Sequence, residues 1–238
     1  MESSIYQSGE YLQRNPTWDV EDSPWKACQI FELLQSYRLK PRSVCEVGCG
    51  AGEILNQLYM LMPSDTEFYG YEISLQAYEL AQHREKSRLH YYLKDLTQEN
   101  VDFDLLLVID VFEHVDDYMG FLRQLRSKAN YTLFHIPLEL SAQNVIREHS
   151  LLYSRSKVGH LHYFTKETAL ATLRDTGYEV IGYRFTAGSV ELNRGPLKRK
   201  LAKLPRRLVA SISKPLAAKL LGGFSLLVLT QPAQSVAP

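Results

Sequence analysis

Little in this chain of 238 residues stands in for an ordinary hydrophobic core. Cysteine is scarce, with three residues, Cys28, Cys45 and Cys49. So small and odd a number excludes a disulfide framework and points to a reducing compartment. Cys45 and Cys49 have no second pair, and no histidine stands at ligand spacing, so no zinc site and no metal are expected. Net charge is absent, because Lys+Arg and Asp+Glu each number 27. A neutral chain lacks the bulk electrostatics that draw a protein to nucleic acid, and no such partner is expected. Long hydrophobic runs are missing too. LLLVIDVF is cut by Asp110 and FSLLVL is only strand-sized, so nothing approaches the roughly 20 apolar residues of a membrane span. The opening MESSIYQSGEYLQRN has neither the cationic nor the apolar stretch of a secretory signal, and a cytoplasmic location is expected. Internal repeats are also lacking. What remains is 45% hydrophobic and 23% charged, enough to bury about 70% of the unfolded surface in one large domain.

The pattern along the chain is strand, turn and helix, repeated. Ser23 followed by Pro24 reads as an N-cap with proline at the first helical position, opening a helix over 24–37. SVCEV predicts a strand, GCGAG a turn and EILNQLYMLM a helix. EFYGYE, LHYYLKDL, FDLLLVID and YTLFHI predict four more strands, the fourth of the series apolar along its length as a strand covered on both faces should be. After Pro137 an irregular or helical stretch runs to about Gly159. Thr165 caps KETALATLRD, Gly177 stops it, and YEVIGYRFT and SLLVLTQ close the series. Alternating strands and helices specify an α/β, Rossmann-like, mostly parallel sheet with helices on both faces. The expected organisation is a single domain over 1–238. It comprises a helical cap (1–40), a ligand-binding core (41–187), a basic insertion (188–223) and a last strand (224–231).

The densest signal is VCEVGCGAGEIL. Gly48, Gly50 and Gly52 follow a strand and precede a helix, where missing Cβ atoms let backbone approach a ligand. Glu46 stands two residues before them. Glu72 ends the second strand, where an acid can accept from both ribose hydroxyls of an adenosine. Asp95 and Asp110 follow the third and fourth strands. Ligands of open parallel sheets bind beyond these strand ends. The spacing is G-x-G-x-G, not the G-x-G-x-x-G of dinucleotide enzymes. With an acid on the first strand, it suits a phosphate-free ligand with a positive centre better than NAD.

These motifs resemble those of the class I S-adenosylmethionine-dependent methyltransferases, in the form seen in ubiquinone- and menaquinone-biosynthesis enzymes. EVGCGAG, YGYEIS, LKDL and LLVIDVFEHVDD occur in the family's order, and the resemblance extends over about 40–187. It implies seven strands with the last antiparallel, S-adenosylmethionine as cofactor, and methyl transfer to a small molecule. By the resemblance, Gly48, Cys49, Gly50 and Gly52 wrap the cofactor's amino acid and ribose, and Glu46 helps hold its amino group. Glu72 takes the ribose hydroxyls, with Ile73 beside it. Asp95 accepts from the adenine amino group, flanked by Leu96, and Asp110 lines the methionine side. An oxygen acceptor is expected: a sugar, a phenol or quinone-type ring, or a lipid-linked intermediate. The alternatives are an NAD-dependent oxidoreductase and a non-catalytic S-adenosylmethionine-binding scaffold.

A hydroxyl acceptor needs its proton removed, and His114, His160 and His162 are the candidates for that role. His135, inside an apolar strand, reads as a satisfied core or rim residue. Trp18, Trp25 and the early tyrosines form either a lid on the pocket or a cover on the sheet edge. Between Ala187 and Gly223 stand nine Lys+Arg against one acid, Glu191. The cations of 194–219 alternate with apolar residues, which suits an anionic membrane surface or an anionic substrate, or else a solvated insertion packing its leucines on the sheet. Pro205 and Pro215 divide it into short helices.

Overall fold

A computed structural model describes residues 9–18, 20–147, 149–192 and 204–233. Seven strands, β1 (Ser43–Val47), β2 (Glu67–Glu72), β3 (Leu89–Leu93), β4 (Phe103–Ile109), β5 (Ala129–Leu138), β6 (Tyr178–Thr186) and β7 (Phe224–Pro232), form one sheet in the order β3-β2-β1-β4-β5-β7-β6. The first five pair in parallel, and β7 runs antiparallel between β5 and β6. The expected fold class is therefore the observed one. Strand order reverses at β1, so the ends of β1 and β4 border the crevice where such sheets bind ligands.

Side-chain alternation splits the core in two. Val44, Leu105, Leu107 and Leu133 face one side and pack with Ile30, Leu34, Leu55 and Leu58 of α2 (Ser23–Ser36) and α3 (Glu53–Leu61). Cys45, Val47, Leu106, Val108 and Phe134 face the other. They meet Leu122 and Leu125 of α5 (Tyr118–Leu125) and Leu170 and Leu173 of α8 (Lys166–Asp175). Glu46 shares the face of Val44, and so looks toward the layer of α2. Two covered faces explain why β4 reads as a continuous apolar run.

Helix ends follow local chemistry. α4 (Leu75–Gln82) starts at Ser74, whose hydroxyl accepts from the Ala77 amide. α8 starts with a capping box between Thr165 and Thr168, and Gly177, with φ 87°, follows its end. Two boundaries differ from the sequence reading. α2 begins at Ser23 with Asp22 at the N-cap, so Ser23 lies inside the helix it was expected to cap. β5 runs past Pro137 to Leu138 because β7 continues the pairing there, Pro137 opposite Ser225 and Leu138 opposite Phe224.

Before the sheet lies α1 (Glu10–Arg14). After β5 come α6 (Ala142–Ile146) and α7 (His149–Val158), and after β6 α9 (Gly188–Glu191). The basic insertion continues as α10 (Leu204–Ile212) and α11 (Lys214–Leu221), the second with Pro215 in its first turn. Its cations Arg194, Lys198, Arg199, Lys200 and Lys203, like Tyr6 near the start, lie outside the described residues.

Leu107 is fully buried at the centre of the sheet. Leu107→Ala is expected to lower the unfolding free energy by about 2–5 kcal/mol, measured by urea denaturation with an unchanged slope.

Candidate active site

The turn after β1 is built for close approach. Gly48, Gly50 and Gly52 have φ of 65°, 54° and 77°, in the left-handed region. A Cβ on Gly50 would lie 2.8 Å from the Trp18 ring, and one on Gly52 2.5 Å from Tyr91. Tyr91, from β3, also donates its hydroxyl to the Gly52 carbonyl at 2.7 Å. Trp18 thus lies over the glycine turn, with Tyr11 against it at 4.7 Å between ring centres. Trp25 instead reaches beyond β6, donating to Glu191 at 3.0 Å. The two tryptophans thus part, Trp18 against the glycine turn and Trp25 against Gly188 after β6.

Glu72 ends β2 against this turn. Its Oε2 accepts from the Gly50 amide and its Oε1 from those of Ile73 and Ser74, each at 2.8 Å. Burial raises its pKa while the three amides act the other way. Ile73 follows with its side chain 55% exposed, an apolar surface beside the acid. Cys49 is buried, and burial pushes its thiol up.

Glu46 is 2% exposed, and its Oε2 has no hydrogen-bond partner among the described residues. Burial raises its pKa well above the carboxylate range. Lys26 opposes that shift, and the charges of Glu72 and Asp110 add to it. A buried acceptor without a donor costs about 1–3 kcal/mol, so this atom lacks a partner that a cationic amine would supply. The orphaned oxygen, the glycine cradle and the satisfied acid at β2 fit the amino group, backbone and ribose of S-adenosylmethionine.

At the third strand the expectation for Leu96 needs a correction. Asp95 is exposed, and its Oδ1 caps the turn Leu96–Gln98 through the Thr97 amide (2.9 Å) and hydroxyl (2.7 Å). Leu96, expected to flank an adenine, has no exposed surface and packs in the core instead. The exposed apolar side chains at this edge are Leu93, which ends β3, and Ile73, which follows the end of β2.

Asp110 is held from two sides. Its Oδ2 meets Lys26 Nζ and its Oδ1 meets His135 Nδ1, both at 2.6 Å. Burial alone would raise its pKa, but His135 and Lys26 prevail and hold it well below the carboxylate range. His135 also reaches the Thr186 hydroxyl at 3.0 Å, so it is the satisfied residue expected. Burial by itself lowers the pKa of Lys26, yet the neighbouring acids, Asp110 foremost, raise it overall. Lys26 escaped the sequence reading. Its only signal there was a lone lysine on the helix before four acids.

Beside Asp110 lies a second polar group. Glu113, in the turn Phe112–His114 after β4, is 1% exposed with both carboxylate oxygens unpartnered among the described residues. Burial raises its pKa well above the usual range, and the charges of Asp110 and Glu139 add to that. His114 Nδ1 contacts the Gly159 carbonyl at 3.1 Å, and burial, with His160 next, lowers its pKa to about 4. His160 Nδ1 meets Glu139 Oε2 at 2.6 Å, and the two imidazoles pack edge to face at 4.7 Å. The Leu161 and His162 amides donate to the Glu113 carbonyl at 2.8 and 3.1 Å. The fold thus joins His114 to His160 and adds Glu113 and Glu139. His162 is a correction as well. Its Nε2 meets the Val115 carbonyl at 3.0 Å and its ring packs 4.4 Å from Tyr118, which makes it a clasp between loops outside the cluster.

This sheet order, with its glycine turn and acids at the strand ends, defines a class I S-adenosylmethionine-dependent methyltransferase. The chain belongs to the methyltransferase domain family, whose model matches residues 21–182. That membership sets aside the dinucleotide oxidoreductase alternative. Among solved structures it is similar to magnesium protoporphyrin IX methyltransferase from Synechocystis PCC 6803 with bound S-adenosylhomocysteine. Identity is 15%, coverage is 88% of this chain and 83% of that one, and the TM-score is 0.59. A methyltransferase-fold protein from Bacillus halodurans C-125 matches at 12% identity, with 85% and 98% coverage and a TM-score of 0.57. The tRNA U34 carboxymethyltransferase of Campylobacter fetus is 30% identical over 114 residues, 46% of this chain and 40% of that protein. The match thus spans about two-fifths of that relative.

Hydrogen bonds to charged groups contribute about 1.5–3 kcal/mol, so Glu72→Ala is expected to weaken S-adenosylhomocysteine binding roughly ten- to a hundredfold. Titration calorimetry measures it, and an unchanged affinity removes Glu72 from the site. Because the Glu46 pKa is raised, low pH keeps it neutral and denies the ligand amine a carboxylate. Affinity is therefore expected to rise with pH as Glu46 loses its proton above the ordinary carboxylate range, and Glu46→Gln to flatten that rise.

Proposed function

We propose that this chain transfers a methyl group from S-adenosylmethionine to a hydroxyl oxygen of a small molecule: a sugar, a phenol or quinone-type ring, or a lipid-linked intermediate. One observation carries the choice of oxygen. The cluster of Glu113, His114 and His160 adjoins Asp110, and its polar atoms answer the main need of a hydroxyl nucleophile, which is to lose a proton. The zero net charge keeps a small acceptor ahead of the RNA named for the partial relative.

S-adenosylmethionine supplies a methyl already activated on a sulfonium. The residues of the chain hold and align. Glu72 takes the ribose hydroxyls and Glu46 the amino group, while Trp18 covers the glycine turn and excludes water. Asp110, fixed by Lys26 and His135, presents a constant negative charge toward the positive centre. The cluster holds the acceptor hydroxyl and draws off its proton as the oxygen–carbon bond forms and the methyl's carbon–sulfur bond breaks, leaving S-adenosylhomocysteine. Positioning of this kind can supply up to ~7–11 kcal/mol.

A lipid surface is the partner we assign to the basic insertion. α10 and α11 expose Leu204, Leu208, Ile212, Leu216 and Leu220, spaced four apart and so along one face of each helix. Arg207 and Lys214 are exposed among them, and five more cations precede α10 in sequence. An apolar stripe flanked by cations complements an anionic membrane interface. No helix among the described residues is long and apolar enough to cross a bilayer.

Turnover of labelled S-adenosylmethionine with a panel of phenols, sugars and prenylated quinols is expected to give O-methyl products. His160→Ala is expected to lower kcat by about 10²–10⁴ with S-adenosylhomocysteine affinity unchanged. Products methylated only at nitrogen or carbon overturn the oxygen reading, and ligand binding with no turnover on any acceptor favours the scaffold. Sedimentation with vesicles of one-quarter phosphatidylglycerol is expected to pull down the protein. The double substitution Leu208→Ser, Ile212→Ser should weaken that at least tenfold, since each buried leucine is worth about 1.5–3 kcal/mol. No binding at low salt ends the membrane assignment.

A further inference from the structure

We propose that Glu113, His114 and His160 form a binding site for a divalent first-row transition cation, oriented by Glu139 and the Gly159 carbonyl.

The ligand atoms of the three side chains all lie within 4.8 Å of one another. A cation with ligands at about 2.0–2.2 Å sets them roughly 3–3.5 Å apart, which needs only side-chain adjustment. The backbone is already fixed, because the Leu161 and His162 amides tie the later segment to the Glu113 carbonyl.

Glu113 gives the first independent reason. It is buried, and neither of its oxygens has a hydrogen-bond partner among the described residues. Protonation does not solve this, since a neutral carboxyl in the same place still has an O–H and a C=O to satisfy. Buried carboxylates are otherwise paired or coordinate metals.

The histidines give the second. Carbonyl and carboxylate oxygens only accept hydrogen bonds, so the contacts to Gly159 (3.1 Å) and Glu139 (2.6 Å) place a proton on Nδ1 of both rings. In the neutral rings the lone pair then resides on Nε2. A carboxylate on the far nitrogen of an imidazole is the arrangement that orients histidine ligands and raises their basicity. A core histidine has no need of it.

The donor set selects the cation. Two imidazoles and one carboxylate suit Mn, Fe, Co or Zn better than the all-oxygen preference of Mg or Ca. Three protein ligands leave a coordination position open, as in catalytic centres. On the oxygen-acceptor reading, on which this role rests, that position takes the acceptor hydroxyl and eases its proton out to water. The pull of the cluster on that proton is then exerted through the cation, with His114 and His160 as its ligands.

The test uses the full, tag-free chain stripped with chelator. Titration calorimetry with MnCl₂, ZnCl₂ and MgCl₂, and the visible spectrum with CoCl₂, read binding without reference to activity. One site per chain is expected for manganese, zinc and cobalt, with magnesium weaker. Glu113→Gln and His160→Ala should each weaken it at least a hundredfold, and Glu139→Gln ten- to a hundredfold. Melting curves and S-adenosylhomocysteine titration of each variant show that the fold persists, and either of the first two suffices if the other misfolds. No binding by a protein that still takes S-adenosylhomocysteine overturns the metal site and leaves the methyltransferase reading standing. Binding that survives both substitutions also overturns it. Metal binding without S-adenosylhomocysteine binding upholds the site and removes the cofactor assignment.

Discussion

Like charges pressed together at the end of a buried sheet are the constraint from which this site follows. Glu46, Glu72 and Asp110 each feel burial as a penalty on their charged form. What differs is the compensation. Glu72 has three amides, which no change of protonation elsewhere can withdraw. Asp110 has Lys26 and His135 at 2.6 Å, and these overcome burial. Glu46 has only the more distant influence of Lys26, so burial prevails. One acid at the strand ends is thus held ionised, and another lacks an adjacent compensating cation. A ligand carrying both an ammonium and a sulfonium is matched to that asymmetry, whereas a pyrophosphate would meet repulsion along the whole rim.

Asp110 shows how backbone strain is used here. Its φ is 54°, in the left-handed region, which for a residue other than glycine costs on the order of 1–3 kcal/mol. Two hydrogen bonds from cationic or polarised donors, at about 1.5–3 kcal/mol each, outweigh it. The kink turns the chain abruptly out of β4 into the turn bearing Glu113 and His114. A relaxed conformation there would carry the strand direction onward and separate Asp110 from the cluster of Glu113, His114 and His160.

The features legible in the sequence were those whose cause is local. Alternating burial wrote β4 as an apolar run, the glycines announced their turn, and Thr165 and Gly177 marked both ends of α8. Glu72 was readable as a strand-end acid, and its bonds to the Gly50, Ile73 and Ser74 amides are what its neighbours in sequence and the glycine turn provide. Residues that matter through distant partners were not. Lys26 acquires meaning only when α2 lies over β1, and Glu139 only when its loop meets His160. His160 and His162 are alike in sequence, yet the fold puts one in a cluster and the other on the Val115 carbonyl. Leu96 was misread because a position beside a presumed ligand edge gives no hint of which way the side chain turns. The extension of β5 past Pro137 escaped because proline lacks an N–H, a local objection that pairing with β7 overrides.

Cofactor grip and acceptor choice are built from separable parts of the chain. The first resides in the strand ends of β1, β2 and β4, which the sheet itself positions. On the proposed reading, the second draws on segments inserted after β5 and β6, where Glu139, His160 and the exposed stripe of α10 and α11 reside. Only the short piece from Asp110 to His114 belongs to both. On the function proposed above, divergence in the insertions can redirect the enzyme to another acceptor without disturbing the acids at the strand ends. The converse does not hold. A change at Asp110 loosens Lys26 and His135 and shifts Glu113 through the same turn, so this one residue couples the two halves of the reaction.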